Sequence, residues 1–325
     1  MLTDDQPRVA IAHLPTPLEP LPRLTAQLGG PELWVKRDDQ TGLATGGNKA
    51  RKLEFLVADA LSRDADMLIT AGAAQSNHAR QTAAAAAKFG LACTLVLRGG
   101  EPTETQGNLL LDRLLGAQVV WAGKQPLPDA MEQTAVELDV AGRRSYVVPY
   151  GGSSPVGACG YVAAMEELLA QSAARDLAFD HIVFPSSSGG TQSGLAVGAQ
   201  ALGYRGRVLG ISVDQPAAAL RQLLAPLASA TANLLGLEIS PSPDDFDIDD
   251  GYLGEGYGVM GDLERDAVHA AARTEGLLLD PVYTGRAFGG LLDLIRQGTF
   301  HSGEKVLFWH TGGTTGLFAY ADQLT

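Results

Sequence analysis

One amine stands beside small polar residues in the segment Gly46-Gly47-Asn48-Lys49, where Lys49 opens a helical pattern with an apolar face. The positive end of a helix disfavours a nearby ammonium group, so it lowers the pKa of Lys49 and prepares the amine to attack a carbonyl carbon. This chemistry suits a Schiff base at Lys49. The alternative is an ordinary solvated lysine, which is the commoner fate of this residue type.

Two further segments are candidate anion sites, because each lies between a predicted strand and a predicted helix. Residues 186–191 read Ser-Ser-Ser-Gly-Gly-Thr and could offer hydroxyls and unpaired N–H groups to a phosphate. Residues 75–78 read Gln-Ser-Asn-His and could hold a carboxylate in the same way. The alternatives are a flexible turn and an ordinary helix cap. Together, an amine and two anion sites are typical of an enzyme that binds pyridoxal phosphate and an amino acid.

The elements that must position these segments follow a parallel α/β pattern. Eight short runs are mainly apolar without strict alternation, as expected of strands covered on both faces, and they fall at 33–37, 67–71, 93–97, 119–121, 146–149, 182–185, 208–213 and 306–309. Helical stretches lie between them. The helix that begins at Lys49 has one apolar face, formed by Leu53, Leu56, Val57, Ala60 and Leu61.

The least regular stretch is 240–258, which contains two prolines and five aspartates between positions 244 and 250. Charge runs are usually solvated, so we interpret this stretch as an irregular acidic connector. Long loops are also often functional, and a lid over a site is the alternative interpretation.

Composition limits the class of protein. The 325 residues carry a formal net charge of −13, with 45% hydrophobic and 19% charged residues, which favours a compact protein with a large core. The acidic balance argues against nucleic acid and anionic membranes as partners. Only two cysteines occur, Cys93 and Cys159, and no metal-ligand spacing is present, so neither a disulfide framework nor a metal site is predicted. We expect a cytoplasmic location.

The sequence resembles the family of pyridoxal-phosphate enzymes that contains D-cysteine desulfhydrases and 1-aminocyclopropane-1-carboxylate deaminases. The resemblance runs almost end to end. It is carried, in order, by Leu14-Pro15-Thr16-Pro17-Leu18-Glu19, Lys36-Arg37-Asp38-Asp39, Gly46-Gly47-Asn48-Lys49, Arg51-Lys52-Leu53-Glu54, Gln75-Ser76-Asn77-His78, Gly189-Gly190-Thr191, Asp280-Pro281-Val282-Tyr283-Thr284-Gly285 and His310-Thr311-Gly312-Gly313.

The resemblance implies an α/β fold of the tryptophan-synthase-β type, called fold type II. Two α/β domains with mostly parallel sheets would enclose the cofactor in a cleft. Residues 1–47 and 157–325 would form the large cofactor-binding domain, and residues 48–156 the small domain. A homodimer is also implied.

The resemblance further implies roles for individual residues. Lys49 would hold the cofactor covalently, and its phosphate would be bound by Lys52, Ser188, Gly189, Gly190 and Thr191. Asn77 would bind the phenolic oxygen, and Thr311 would face the pyridine nitrogen. The substrate would be bound by Ser76, Asn77, His78, Gln75, Tyr257 and Tyr283, with Lys49, Ser76, Tyr257 and Tyr283 as the catalytic set.

The implied reaction is β-elimination from a small amino acid, with D-cysteine as the expected substrate and pyruvate, sulfide and ammonia as products. Two departures from the family pattern keep alternatives open. Thr284 stands where the cyclopropane deaminases have glutamate, which argues against ring opening. Thr314 and Thr315 replace an Ala-Pro pair that is common in desulfhydrases, and extra hydroxyls could suit the sulfonate of L-cysteate. A catalytically silent cofactor-binding protein is a further alternative, although it would not need Lys49, Ser76 and both tyrosines.

Overall fold

The computed structural model describes residues 1–325 and contains two β-sheets. The larger sheet has six strands in the order β1-β2-β10-β7-β8-β9. These are β1 (Leu18–Pro20), β2 (Glu32–Arg37), β7 (His181–Ser186), β8 (Arg207–Ser212), β9 (Asp247–Asp249) and β10 (Lys305–His310). Only the β1–β2 pair is antiparallel, so the sheet is mixed but mostly parallel.

The smaller sheet has four parallel strands in the order β5-β4-β3-β6. Its strands are β3 (Met67–Gly72), β4 (Ala92–Leu97), β5 (Gln118–Trp121) and β6 (Ser145–Val147). The helices of this part of the chain are α2 (Lys49–Ser62), α3 (Asn77–Phe89), α4 (Gly107–Leu114) and α5 (Leu127–Val140). The two sheets thus come from the chain segments that were predicted to form the two domains, while the exact domain boundaries stay a prediction.

The remaining helices belong to the chain segments that build the larger sheet. They are α1 (Pro22–Leu28), α6 (Pro155–Ala173), α7 (Gly190–Ala201), α8 (Ala217–Leu234), α9 (Asp262–Glu275), α10 (Thr284–Arg296) and α11 (Ala321–Leu324). A buried cluster that includes Val35, Val183 and Phe308 from the strands and Phe288 from α10 forms one core of this region. None of the helices is both long and apolar enough to cross a lipid bilayer.

All eight predicted strands are present, with ends that differ by a few residues. The apolar face predicted for α2 is also correct for Leu53, Leu56, Val57 and Ala60, which are buried in the core of the smaller sheet. Leu61 is the exception, because it lies at the edge of that face and is 38% exposed.

The prediction of an irregular connector over 240–258 was wrong for residues 247–249. These residues form β9, which pairs in parallel with β8 at the edge of the larger sheet. Ile248 is 7% exposed and packs into a buried apolar cluster. The flanking Asp247 forms an ion pair with Arg207 of β8. One inward apolar side chain and a cross-strand ion pair therefore stabilise an acidic edge strand.

Candidate active site

A cavity lies where several parallel strands end, which is the usual place for a binding site in α/β proteins. The segments that line it follow the carboxyl ends of β3, β6, β7 and β10, and the start of α2 closes one side. The lining residues are Asn48, Lys49, Ser76, Asn77, His78, Tyr150, Gly151, Pro185, Ser186, Ser187, Ser188, Gly189, Thr191, Gln192, Tyr283, Thr311 and Gly312.

Lys49 lies in the cavity wall at the first residue of α2. Its Nζ donates to Asn48 Oδ1 at 3.0 Å. Burial lowers the pKa of Lys49 to about 8, against the opposing effect of the Asp280 carboxylate. The lysine is therefore not a solvated surface charge, and about a tenth of its amine is neutral at pH 7, far more than for an ordinary lysine.

The backbone turn that leads into Lys49 depends on Gly46, which has a φ of +73°. A Cβ atom at Gly46 would lie 1.9 Å from the backbone oxygen of Asp39, so no other residue fits there without moving the chain. The buried Arg80 side chain reinforces this turn by donating to the carbonyl of Gly46 at 3.2 Å. The close contact with Asp39 and the hydrogen bond from Arg80 therefore both fix the backbone of this turn immediately before α2.

The predicted phosphate site lies at the N-terminus of α7. Gly189 precedes the helix with a φ of +92°, and the Gly190 N–H donates to Ser153 Oγ at 3.0 Å. A Cβ at Gly190 would be 2.9 Å from Lys52 Nζ, which places the ammonium beside the helix start. Lys52 is buried, its only hydrogen bond is to the carbonyl of Gly151, and burial lowers its pKa well below the usual value. A buried amine beside a helix N-terminus fits a phosphate group, whose negative charge would favour the ammonium form of Lys52.

The predicted carboxylate site lies at the N-terminus of α3. Ser76 is the N-cap, and its Oγ accepts from the N–H of Ala79 at 3.1 Å. Because the oxygen is the acceptor in this bond, the hydroxyl proton is left to be donated to a ligand. Asn77 lines the cavity beside it, and its Oδ1 accepts from Asn108 Nδ2 at 2.9 Å.

His78 is held as a neutral imidazole. Its Nε2 lies 2.8 Å from Thr70 Oγ1, and that hydroxyl donates to the carbonyl of Val148 at 2.8 Å. The proton therefore belongs on Nε2, and Nδ1 is a buried nitrogen with no partner. Burial, together with the charges of Lys49 and Lys52, keeps the pKa of His78 well below its usual value. Any contribution of His78 to carboxylate binding is thus not that of a cation.

Gln75 is not in the cavity wall, contrary to the prediction that it contacts the substrate. Its Oε1 accepts from the N–H of Asn108 at 2.9 Å, and its Nε2 donates to the carbonyl of Gln106 at 3.1 Å. The residue precedes the helix cap, so its side chain points to α4 and not to the ligand side. It joins the α4 N-terminus to the segment that carries Ser76.

The two predicted tyrosines are brought together. Tyr283 lines the cavity, and its hydroxyl lies 2.5 Å from that of Tyr257, with the two ring centroids 5.8 Å apart. Tyr257 does not line the cavity, and it is connected to the cavity wall through this contact with Tyr283. The carboxylate of Asp280 accepts from the N–H groups of Val282 and Tyr283 at 3.1 and 2.9 Å, which fixes the start of α10.

Thr311 is in the wall as predicted, directly after β10. Its carbonyl accepts from the N–H of Asn48 at 2.9 Å, so the segment after β10 is tied to the residue before Lys49. The next residue, Gly312, has a φ of +94°, and a Cβ there would lie 2.6 Å from the Cα of Gly47. Close backbone contact therefore sets the position of the Thr311 hydroxyl relative to Lys49.

Several polar residues of this region were not among the predicted site residues, and Tyr150 and Asp214 are two of them. Tyr150 lines the cavity after β6, and Asp214 lies behind the wall after β8, where it accepts from Ser187. Both follow the carboxyl end of a parallel strand. That position was the signal that could have identified them.

The arrangement is typical of one enzyme class, since a lysine amine and two candidate anion sites, one for a phosphate and one for a carboxylate, lie at one cavity. In agreement, residues 9–312 match the family described as "Pyridoxal-phosphate dependent enzyme". The chain belongs to this family of pyridoxal-phosphate-dependent enzymes, and its cofactor is pyridoxal phosphate.

Two relatives show which members of this enzyme family the chain is similar to. A D-cysteine desulfhydrase from Salmonella choleraesuis (strain SC-B67) is 47% identical over 320 residues, covering 97% of this chain and 96% of the relative. A D-cysteine desulfhydrase from Salmonella paratyphi C (strain RKS4594) is 46% identical with the same coverage. The membership of the desulfhydrase and deaminase family that the motifs indicated is thus confirmed.

Solved structures agree with the predicted fold class. The structure described as an "ACC deaminase homologue" superposes with a TM-score of 0.90 at 42% identity, covering 99% of this chain and 97% of that one. A fungal L-serine ammonia-lyase from Rhizomucor miehei has a TM-score of 0.67 at 20% identity, which reflects the shared fold alone. The α/β architecture of fold type II is confirmed.

Proposed function

We propose that this protein is a β-eliminating lyase that converts D-cysteine to pyruvate, sulfide and ammonia. The observation that carries the proposal is the cavity itself, in which the Lys49 amine stands between one anion site that includes Lys52 and another that includes Ser76. The relatives named D-cysteine desulfhydrase support the choice of substrate.

When bound, the cofactor supplies an electron sink that makes the α-proton of an amino acid acidic enough to remove. The residues of this chain then have separate tasks. The Lys49 amine takes the α-proton, and Ser76 donates its hydroxyl proton to the substrate carboxylate. Lys52 and the α7 N-terminus would hold the phosphate, and Asn77 would bind the phenolic oxygen. Thr311 would offer a neutral hydroxyl to the pyridine nitrogen and would not fix a proton there.

The structure supports elimination over ring opening of a cyclopropane amino acid. Thr284 is buried, and its hydroxyl donates to Asp280 Oδ1 at 2.7 Å. It therefore presents neither a carboxylate nor a free hydroxyl to the cavity. The deaminases, to which the family resemblance pointed as an alternative, have glutamate at this position.

The two threonines that could have favoured a sulfonate are directed elsewhere. Thr314 donates to the carbonyl of Leu278 at 3.4 Å, and Thr315 Oγ1 lies 2.8 Å from Thr45 Oγ1. Neither lines the cavity. The polar groups that would bind the sulfonate of L-cysteate are therefore not supplied by this pair.

A side-by-side substrate panel tests the proposal. We expect pyruvate and sulfide from D-cysteine, and little turnover of L-cysteine, L-cysteate or the cyclopropane acid. Sulfide, sulfite and 2-oxo acid are each measured for every substrate. Faster sulfite release from L-cysteate than sulfide release from D-cysteine, or 2-oxobutyrate from the cyclopropane acid, contradicts the proposal. A protein with no turnover of any of these would support the catalytically silent alternative.

Replacing Ser76 with alanine is expected to weaken substrate binding more than cofactor binding. One charge-assisted hydrogen bond is lost, which costs about 1.5–3 kcal/mol. The measurement is KM for D-cysteine beside the dissociation constant of the cofactor. Ser62→Ala, at an exposed serine, is the matched control. Equal losses of both affinities would assign Ser76 to the cofactor instead.

The only binding partner in the proposed reaction, besides the cofactor, is a small amino-acid substrate. The homodimer implied by the family resemblance and the cytoplasmic location expected from the sequence are part of the proposal. The net charge of −13 supports the absence of nucleic acid among the partners, because no basic surface would balance the phosphates.

A further inference from the structure

Asn108 is a fully buried polar residue in the first turn of α4, and its side chain contacts the segment that begins α3. Its Nδ2 donates two hydrogen bonds, one to the carbonyl oxygen of Gln75 at 2.8 Å and one to Asn77 Oδ1 at 2.9 Å. Gly107, with a φ of +57°, permits this close contact, because a Cβ there would lie 2.4 Å from Gln75 Oε1. Asn108 thus lies directly behind Asn77.

The chemistry of these contacts determines which way each amide group points. A backbone carbonyl only accepts hydrogen bonds, so the atom of Asn108 beside the Gln75 carbonyl is the amide nitrogen. Reversing the Asn108 amide would set its Oδ1, which has no partner, against that carbonyl. The same nitrogen contacts Asn77, so the atom of Asn77 on that side is the oxygen. A backbone carbonyl therefore determines, through Asn108, the orientation of the Asn77 amide.

The Asn77 amide consequently keeps its nitrogen for a ligand. Asn77 lines the cavity, its Oδ1 is held by Asn108, and its Nδ2 donates to no group of the protein. Asn77 is the residue assigned above to the phenolic oxygen of the cofactor, and an N–H donor stabilises that oxygen in its ionised form. With the amide reversed, two acceptors would face each other and neither would have a donor. The orientation of Asn77 thus matters for the ionisation of the cofactor.

We propose that Asn108 is a positioning residue for the cofactor, because it holds the Asn77 amide with its nitrogen directed at the phenolic oxygen. Asn108 itself is not in the cavity wall, so it acts only through Asn77. The inference rests on the assignment of Asn77 in the proposed function, but it requires no particular substrate. It connects α4, which carries no residue of the cavity wall, to the electronic state of the bound cofactor.

Titration of the absorbance of the bound cofactor with pH tests the proposal, because this absorbance reports ionisation without turnover. Asn77→Ala removes the donor and is expected to raise the pKa of the titration by about one unit. Asn108→Leu keeps the side-chain volume but leaves the Asn77 amide free to turn, so a smaller rise of about half a unit is expected. In Asn108→Asp an ionised carboxylate attracts the Asn77 nitrogen, and the rise should be at least that of Asn77→Ala.

Two comparisons separate the positioning of Asn77 from other effects. In the Asn77→Ala background the Asn108 variants should cause no further rise, whereas a direct effect of a charge at residue 108 would persist there. Gln75→Met is the matched control, because it removes two hydrogen bonds from the same junction with α4 and leaves the contact between Asn108 and Asn77 in place. It should titrate as the wild type does. Lys49, Lys52 and His78 are unchanged in all of these variants.

The proposal is overturned if neither Asn108 variant raises the pKa, if Gln75→Met raises it as much as Asn108→Leu does, or if the rises persist in the Asn77→Ala background. An unchanged pKa in Asn77→Ala also overturns it, by removing Asn77 from the phenolic oxygen. Thermal unfolding identifies any variant that has lost its fold, and Asn108→Ala then takes its place. The proposed function fails separately, since it depends on sulfide release from D-cysteine, which the titration does not involve.

Discussion

Lys49→Ala is expected to bind no cofactor covalently and to lose at least about three orders of magnitude in turnover, since both the covalent attachment and the proton-transferring amine are removed. Lys49 is the lysine in the cavity wall, and burial lowers its pKa to about 8. Lys52, the nearest alternative, is bound to the carbonyl of Gly151 beside the start of α7. It is therefore placed for a phosphate and not for a carbonyl carbon.

Borohydride reduction of the wild-type protein followed by peptide mass mapping provides the direct measurement. The cofactor adduct should be found on the peptide that contains Lys49 and should be missing in the variant. Lys88→Ala, at an exposed lysine of α3, is the control and should retain both the adduct and the yellow colour of the holoenzyme. An adduct on Lys52, or no adduct in the wild type, would contradict the assignment.

The sequence predicts correctly those strands whose burial requires a recognisable run of apolar residues. Strands such as β3 and β7 are covered on both faces and therefore appear as unbroken apolar runs. The strands β1 and β9 were missed. Each has three residues and lies at an edge of the larger sheet, so its existence depends on a partner far away in sequence. In β9 a single buried residue, Ile248, cannot establish a period.

The site could be predicted in part for a related reason. Its main segments come directly after strands, and small or hydroxyl residues at such positions indicate a helix N-terminus that can bind an anion. The sequence does not give side-chain direction at the boundary of a helix. Gln75 and Ser76 are neighbours, yet Ser76 faces the cavity and Gln75 faces α4. Tyr150 and Asp214 also follow strands, β6 and β8, and that position was the local signal that could have identified them.

Burial also explains a property of Lys49 that the local sequence could not supply. The helix N-terminus predicts the direction of the change in its pKa, but the main cause is desolvation within the cavity. Desolvation depends on the segments after β3, β7 and β10 closing around the amine. The sequence therefore predicts Lys49 as the nucleophile, and the assembled fold lowers its pKa.

The largest loss of stability is expected from Arg51→Ala, because Arg51 holds a buried ionic cluster that joins three elements. Its Nη2 donates to Asp38 Oδ1 at 2.8 Å and its Nη1 to Glu167 Oε2 at 3.0 Å. Asp38 follows β2, Glu167 lies in α6 and Arg51 in α2, two residues after Lys49. Burial alone would raise the pKa of Asp38, but the charge and hydrogen bonds of Arg51, together with the Lys36 charge and the Tyr161 hydroxyl, outweigh burial and lower it. The carboxylate is therefore ionised and needs its partner.

Removing Arg51 leaves this ionised Asp38 buried with only the hydroxyls of Thr16 and Tyr161 as donors. Loss of one partner of a buried pair costs about 3–5 kcal/mol, since the remaining charge is uncompensated. The measurement is the free energy of unfolding of the holoenzyme in urea. Arg63→Ala removes an ion pair to Asp59 from a side chain that is 65% exposed, and it should cost at most about 1 kcal/mol. Equal costs for the two variants would show that the Arg51 cluster does not join the elements around Lys49.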